Sequence, residues 1–422
     1  MNALFVSLLI FTFQANIPSD TTVTLKYCYQ QAEEYYPAAQ KKALQQKITA
    51  LNVKIANSGY FPQISVHGRA SYQSEVTEFS LPAVSGPPAV SKDQYEAAIQ
   101  VNQNIYNGGV VGLRKEFEKA QGMQEVLSTE VELHQVRAQI DEVYFGILLS
   151  QQQKNATELK ISDLEERLKS VRTKVDNGVL LKSVQLILQA ELIEARQDSS
   201  SVMANIKSGY SILGELIGEE IPTSTKIKLP EPAFEMGMAD IARPELALFE
   251  SNSYAIGRQK ELAKSKKLPR ISAFGSAAFG RPGLNFLNDD FHDYYMIGLR
   301  INWSLMDFLN ADEEEEILDI RQKTIRQNEA TFDLQLNARL SSIEERIDAI
   351  EKNIVRDKEI ITIREQIVAQ SVNQLENGVI TATEYISELT KVNRARLSLF
   401  TNQIKLIQAQ TEYRTAMGLE IE

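Results

Sequence analysis

The sequence predicts a mainly α-helical fold that carries a transmembrane β-sheet and is built from one duplicated unit. Three observations predict it. The second half of the chain repeats the first, apolar residues recur every three or four positions over very long stretches, and four short segments alternate between apolar and polar residues. Within each unit the order is helix, strand, strand, a very long helix, a turn and a further helix.

The duplication sets the boundaries. Shifting the chain by 200 positions brings Val101-Asn102 onto Ile301-Asn302, Glu165 onto Glu365, and Asn177-Gly178-Val179 onto Asn377-Gly378-Val379. The same shift brings Ala195-Arg196 onto Ala395-Arg396 and Gly218 onto Gly418. Nearer the start of each unit the shift is 207, which brings Pro62 onto Pro269 and Ile64-Ser65 onto Ile271-Ser272. The extra length falls between the matched blocks. The Pro- and Ser-rich stretch Leu81 to Ser91 is its natural place, because loops absorb length changes. The first repeat is thus expected at 16–221 and the second at 240–422, joined by a linker at 222–239 that holds three prolines and no clear period.

Along the chain, residues 1–15 read as a signal peptide. Leu4 to Phe13 is a run of about ten apolar residues, long enough for a signal core and too short to span a bilayer as a helix. Ala15 follows as a small residue for cleavage, although no basic residue precedes the run. A helix is expected over Leu25 to Ser58, where Leu44, Ile48, Leu51 and Ile55 form one stripe at 4-3-4 spacing. Strands are expected at about 61–73 and 94–106, then a helix at about 111–175. That helix has no proline, so about 65 residues run unbroken for roughly 98 Å. Its residues Leu164, Leu168, Val171 and Val175 repeat the 4-3-4 spacing, and another helix is expected over Leu180 to Ile217. The second unit has strands at about 269–281 and 293–306 and a long helix at about 311–375. There Leu336, Leu340, Ile343, Ile347, Ile350 and Ile354 continue the same spacing. Narrow seams sustained near a 3.5-residue period indicate coiled-coil packing, and together with the helix lengths they suggest a long α-cylinder.

Composition excludes several function classes. A net charge of −11 argues against a nucleic-acid partner, which would favour a basic face. The single cysteine, Cys28, leaves no intrachain disulfide framework. His67, His134 and His292 are scattered, without metal-ligand spacing, a nucleophile elbow or a phosphate loop, so neither catalysis, nor a cofactor, nor a metal site is expected. No later stretch reaches 18 apolar residues, so any membrane crossing is made by strands.

In the first pair of strands, Ile64, Val66, Gly68, Ala70 and Tyr72 alternate with Ser65, His67, Arg69 and Ser71. Tyr95, Ala97, Ile99 and Val101 alternate with Glu96, Ala98, Gln100 and Asn102. In the second pair, Ile271, Ala273, Gly275, Ala277 and Phe279 form one face, and Tyr295, Ile297, Leu299 and Ile301 lie opposite Met296, Gly298, Arg300 and Asn302. Period-two alternation over about ten residues, with aromatics at the ends, is the pattern of lipid-spanning barrel strands. A soluble sheet with one wet face shows the same alternation; the secretory start and the duct-length helices favour the membrane. The lipid face is then expected to carry Ile64, Val66, Tyr72, Tyr95, Ile99, Ile271, Phe279, Tyr295, Ile297 and Leu299, and the lumen face Arg69, Gln100, Arg300 and Asn302. Four strands cannot close a barrel and a bilayer tolerates no open sheet edge, so several chains must contribute. Two chains would give eight strands and three would give twelve.

These features resemble the TolC-like outer-membrane efflux proteins over nearly the whole mature chain. The family has a Pro-Leu-Phe-Asp-Gly-Gly-like turn where the second strand meets the long helix. Here the first unit has Asn104-Ile105-Tyr106-Asn107-Gly108-Gly109 and the second Ser304-Leu305-Met306-Asp307-Phe308-Leu309, so the proline is absent from both and the glycine pair from the second. Arg243-Pro244-Glu245-Leu246 is similar to the segment that opens each unit, and Asn-Gly-Val matches the tip of each helical hairpin. Glu384 fits an acidic position six residues past the second tip's glycine, where the first unit has Val184. The resemblance implies a homotrimer: a twelve-stranded β-barrel in outer-membrane lipid of a Gram-negative bacterium, continuing into a periplasmic α-helical barrel. It implies a passive exit duct of a tripartite efflux or type I secretion system, with a periplasmic adaptor and an inner-membrane efflux pump or ABC transporter as partners. Some members carry an N-terminal lipid on cysteine; Cys28 follows Lys26-Tyr27, which is not a lipobox. The rival reading, a secreted or periplasmic structural coiled-coil protein, accounts for the seams and not for the alternating strands.

Candidate sites follow from this frame. Asn177, Gly178, Val179 and Leu180, with Asn377, Gly378, Val379 and Ile380, are the expected adaptor-docking tips, the glycines ending the helices and the apolar pairs exposed. Asp176 and Glu376 just before them are candidates for a periplasmic gate, since copies around a tunnel mouth would repel one another or share a cation. The acidic run Asp312 to Glu316 is explained by favourable charge at a helix N-terminus. Arg69 and Arg300 are placed to tune ion passage.

Overall fold

The computed structural model of the chain describes residues 22–76, 91–231, 240–285 and 288–419. The expected signal peptide lies outside the described residues, as do nearly all of the Pro/Ser-rich stretch and the second half of the linker. The elements are β1 (Thr22–Val23), α1 (Leu25–Tyr35), α2 (Pro37–Asn57), β2 (Gln63–Tyr72), β3 (Asp93–Tyr106), α3 (Val110–Asp176) and α4 (Lys182–Ile217). They continue with β4 (Lys226–Ile227), α5 (Pro244–Ser265), β5 (Arg270–Arg281), β6 (His292–Asn302), α6 (Leu305–Glu376) and α7 (Ala382–Met417). The chain divides into two compact units, one of Met1–Lys42, Ser128–Leu246 and Ala330–Glu422, the other of Ala43–Leu127 and Ala247–Glu329. No helix among the described residues is long and apolar enough to cross a membrane.

Two helix boundaries differ from expectation for local reasons. The single helix expected over Leu25 to Ser58 is broken at Tyr36, whose backbone is extended (φ −60°, ψ 135°). Pro37 crowds the helical conformation of the residue before it, while its own fixed φ suits the first position of α2. The second long helix begins at Leu305, five positions ahead of the point that matches the start of α3, so the strand expected to reach 306 ends at Asn302. In the first repeat Gly108 and Gly109 hold positive φ (66° and 78°) and keep the chain in a turn. Phe308 and Leu309 stand there in the second repeat, and side chains of that kind favour helix over left-handed backbone. Ser304 caps the new start, its Oγ accepting from the N–H of Asp307 at 3.2 Å.

The first unit is helical, with three apolar clusters. One packs Leu25, Cys28 and Tyr29 of α1 against Tyr144 and Phe145 of α3 and Tyr210 and Leu213 of α4. It also anchors a small parallel pairing of β1 with β4, which lies inside the expected linker at 222–239. The Tyr144 hydroxyl reaches the carbonyls of Val23 (3.0 Å) and Lys228 (2.5 Å), and Tyr210 donates to the Thr225 carbonyl at 2.5 Å. The seam of α3 is buried in a second cluster with Leu188 and Leu192 of α4 and Tyr385, Leu389 and Val392 of α7. In the third, Leu336, Leu340, Ile343 and Ile347 of α6 meet Ala409, Tyr413, Ala416 and Met417 of α7. The stripe on α2 behaves differently: Leu44, Ile48, Leu51 and Ile55 are 47–69% exposed.

The second unit holds one antiparallel sheet in the order β2-β3-β5-β6, so the two repeats join through the β3–β5 pairing. A bulge between Asn104 and Tyr106 brings Tyr106 opposite Ile271. The acidic run of α6 lies beyond that helix's first turn, where the helix dipole has faded. Its carboxylates pair instead with α5 and the segment after it: Glu315 with Lys260 (3.1 Å), Glu314 with Lys266 (2.7 Å) and Asp312 with Lys267 (2.5 Å). Cross-helix pairing therefore replaces the dipole explanation of this run.

Candidate functional site

The sheet places the alternating residues in a common register. Ile64 pairs with Val101 and Val66 with Ile99, Ala97 with Phe279 and Ile99 with Ala277, Ala273 with Leu299 and Gly275 with Ile297. The apolar positions of all four strands therefore share one face. That face is open to solvent in the single chain, from 44% exposed at Tyr95 to 78% at Ile297, with Ile64, Val66, Tyr72, Ile99, Phe279, Tyr295 and Leu299 between; Ile271 is half-buried. At one end Phe279 stacks on Phe291 (5.7 Å between centroids) beside Tyr95, and the Arg281 guanidinium lies over the Phe291 ring at 5.4 Å while pairing with Asp93.

The opposite face carries Arg69, Gln100, Arg300 and Asn302. Glu96 gathers three partners here: Arg69 at 3.6 Å, His67 at 3.4 Å and the Tyr294 hydroxyl, which donates at 2.8 Å. Arg300 lies over the Phe274 ring at 5.0 Å. Sequence reading missed this stack, although a glycine at 298, opposite Phe274 in the register, is the signal that could have shown it. A Cβ at Gly298 would sit 2.7 Å from the Phe274 ring, so glycine is what lets the ring lie flat.

The helical tips repeat one geometry. Gly178 and Gly378 have φ of 74° and 71°. The N–H of Gly178 donates to Val175 (2.9 Å) and that of Val179 to Lys174 (2.8 Å); Gly378 and Val379 do the same to Leu375 (3.1 Å) and Gln374 (2.8 Å). This is the Schellman closure, in which the residue after the glycine commonly folds back onto the helix. Here it does not: Val179 is 66% and Val379 70% exposed. Leu180 and Ile380, expected to be exposed with them, are instead tucked against the apolar cluster between the hairpins. Of the apolar tip residues expected to be exposed, only Val179 and Val379 are, with Asn177 and Asn377 exposed beside them. Asp176 is exposed at the end of α3, while the Glu376 side chain lies outside the described residues. Glu384 closes a capping box with Thr381, accepting from its N–H at 2.7 Å while Thr381 Oγ1 accepts from the Glu384 N–H at 3.2 Å. That bonding also holds the Glu384 carboxyl below its ordinary pKa.

One buried polar cluster was not anticipated. Asp141 of α3 accepts from the Tyr29 hydroxyl and from Thr415 Oγ1 (2.9 Å), linking α1, α3 and α7. Burial pushes its pKa up to about 6. Two turns earlier, burial and then the nearby Arg243 hold His134 down at about 4. Among the described residues no group of His, Cys, Asp and Glu could hold a metal ion.

Comparison with known proteins gives this arrangement a context. The family model for outer membrane efflux proteins matches residues 28–218, which is the first repeat. No match is found among curated protein sequences. Among solved structures, the outer membrane protein VceC from Vibrio cholerae matches with a TM-score of 0.72 at 13% identity, over 94% of this chain and 97% of its own. The outer-membrane channel OprN matches with 0.75 at 12% identity, over 94% and 90%. The CmeC outer membrane channel of Campylobacter jejuni matches with 0.71 at 12% identity, over 93% and 85%. At such identities the likeness is one of fold, and it runs through both repeats. The outer membrane efflux protein model thus covers 191 of the 422 residues, all within the first repeat, and the likeness that extends through the second is one of fold.

Proposed function

We propose that the protein is the outer-membrane exit duct of a tripartite efflux or type I secretion system in a Gram-negative bacterium. It conducts passively between a periplasmic adaptor, with its inner-membrane efflux pump or ABC transporter, and the exterior. The observation that carries this reading is the sheet: four strands align one exposed apolar face and leave β2 and β6 as its outer strands. Such a face suits lipid, and lipid tolerates no open edge. Three copies, each placing β6 beside β2 of the next, would close a barrel of twelve strands. The exposed coiled-coil stripe on α2 supports the same assembly, since a seam of that period is made to meet another helix. In this arrangement Val179 and Val379 dock the adaptor, Asp176 and Glu376 stand at the periplasmic mouth, and the family's helical portion lies in the periplasm. The fold neighbours described as outer-membrane channels favour the same reading.

The test is the double variant Val179→Asp and Val379→Asp. It leaves the glycine closures intact, so oligomer should reach the outer membrane at ordinary levels. Export should fall and crosslinking to the adaptor should be lost, because burying an unpaired charge in an interface is costly. Ordinary export and crosslinking at matched surface levels would refute docking through these residues.

A further inference from the structure

The polar face of the sheet is basic although the chain as a whole carries a net charge of −11. Three arginines, Arg69, Arg270 and Arg300, share it with one glutamate, Glu96. Glu96 is engaged by Arg69, His67 and Tyr294, which leaves Arg270 and Arg300 uncompensated. Arg270 pairs with Asn302 and Ser272 with Arg300, so the two arginines are diagonal neighbours, positions typically about 7–8 Å apart. Among the described residues no carboxylate forms an ion pair with either. Like charges set side by side across strands oppose folding, and an anion between them removes that cost.

The first repeat shows that the arginines are not needed to build the sheet. At the matching positions it has Gln63, which pairs with Asn102, and Gln100, which pairs with Ser65, in the same register. The second repeat also differs beside them. Its Arg300 is held on the Phe274 ring, which lies flat over Gly298, whereas the first repeat has His67 and Ala98 in those places. A guanidinium laid on an aromatic ring keeps its outer N–H groups free for a carboxylate or phosphate, with an apolar surface alongside.

Resting on the duct reading, in which this face lines the lumen, we propose that Arg270, Arg300 and Phe274 form an anion-binding patch in the channel wall. It selects cargo with an acidic group on an apolar or aromatic body. Ser272 and Asn302 supply further hydrogen bonds, and an assembly of three chains presents three such patches.

The experiment compares purified wild-type oligomer with the double variant Arg270→Gln and Arg300→Gln, which restores the first repeat's residues and so is compatible with the sheet. In a planar bilayer under a KCl gradient, the variant's chloride-to-potassium permeability ratio should fall roughly threefold or more, the effect of one unit charge about 7 Å away in water. Benzoate should reduce the wild-type current and leave the variant's unchanged. Independently, benzoate should slow phenylglyoxal modification of Arg300 in the wild-type oligomer, read by mass spectrometry, and benzyl alcohol should not. Equal permeability ratios and equal benzoate block in the two proteins would overturn the patch and leave the duct reading standing. Wild-type oligomer that passes no ions at all would count against the duct reading, and the labelling result would still decide the patch.

Discussion

At the scale of single residues, Asp141 has the clearest consequence. Its pKa is pushed to about 6 by burial, against about 3.9 for an unfolded aspartate, so the folded state holds its proton more tightly. The stabilising contribution is complete below about pH 4 and is lost as pH rises through 6, an effect of about 3 kcal/mol. His134 acts in the opposite sense over much of the same range, because a histidine held down at about 4 costs stability as pH falls. Wild type alone would therefore show little net slope. Asp141→Asn isolates one side: its thermal unfolding, followed from pH 4 to pH 7, should gain relative to wild type as pH rises. Parallel profiles for the two proteins would show that Asp141 does not titrate in this window. Neither residue was legible as a buried pair in the sequence, since an aspartate and a histidine seven positions apart on a helix look like ordinary surface polarity until α1 and α7 cover them.

At the scale of elements, alternation was the readable signal. The polar–apolar period of the four strands already separated two faces, because one shared register sets the alternating apolar residues on the same side, with Phe274 and Met296 as exceptions on the other. Replacing Leu299 by Arg should cost roughly 2–4 kcal/mol near a bilayer centre, whereas Asn302→Ser should cost far less. Recovery of folded oligomer from membranes measures both, and equal damage would refute this assignment of the faces. Helix ends were less legible. Reading Leu25 to Ser58 as one stripe overlooked Pro37, although the conformational limit on Tyr36 was already in the sequence. The start of α6 depended on noticing that Phe308-Leu309, unlike a glycine pair, can continue a helix. Apolar seams announced their period and not their partners: those of α3 and α6 find them within the chain, and that of α2 does not.

At the scale of the molecule, that unpartnered stripe is where assembly can be tested apart from the sheet. Leu51→Glu should leave the monomer's own clusters intact, since Leu51 lies in none of them, and should reduce the yield of oligomer on crosslinking. Unaltered oligomer yield would remove α2 from the proposed interface. The duplication was legible across the whole chain, whereas the join between its halves was not: β3 and β5 pair with Tyr95 opposite Arg281. This join bears on the order in which the protein can be made. The first repeat contributes only β2 and β3, and an isolated two-stranded hairpin is marginally stable in water. Its partners are synthesised far later, and pairings so distant in sequence form slowly. Until β5 has been made, the β3 edge therefore has no partner within the chain, and the four-stranded sheet can form only once the second repeat is complete.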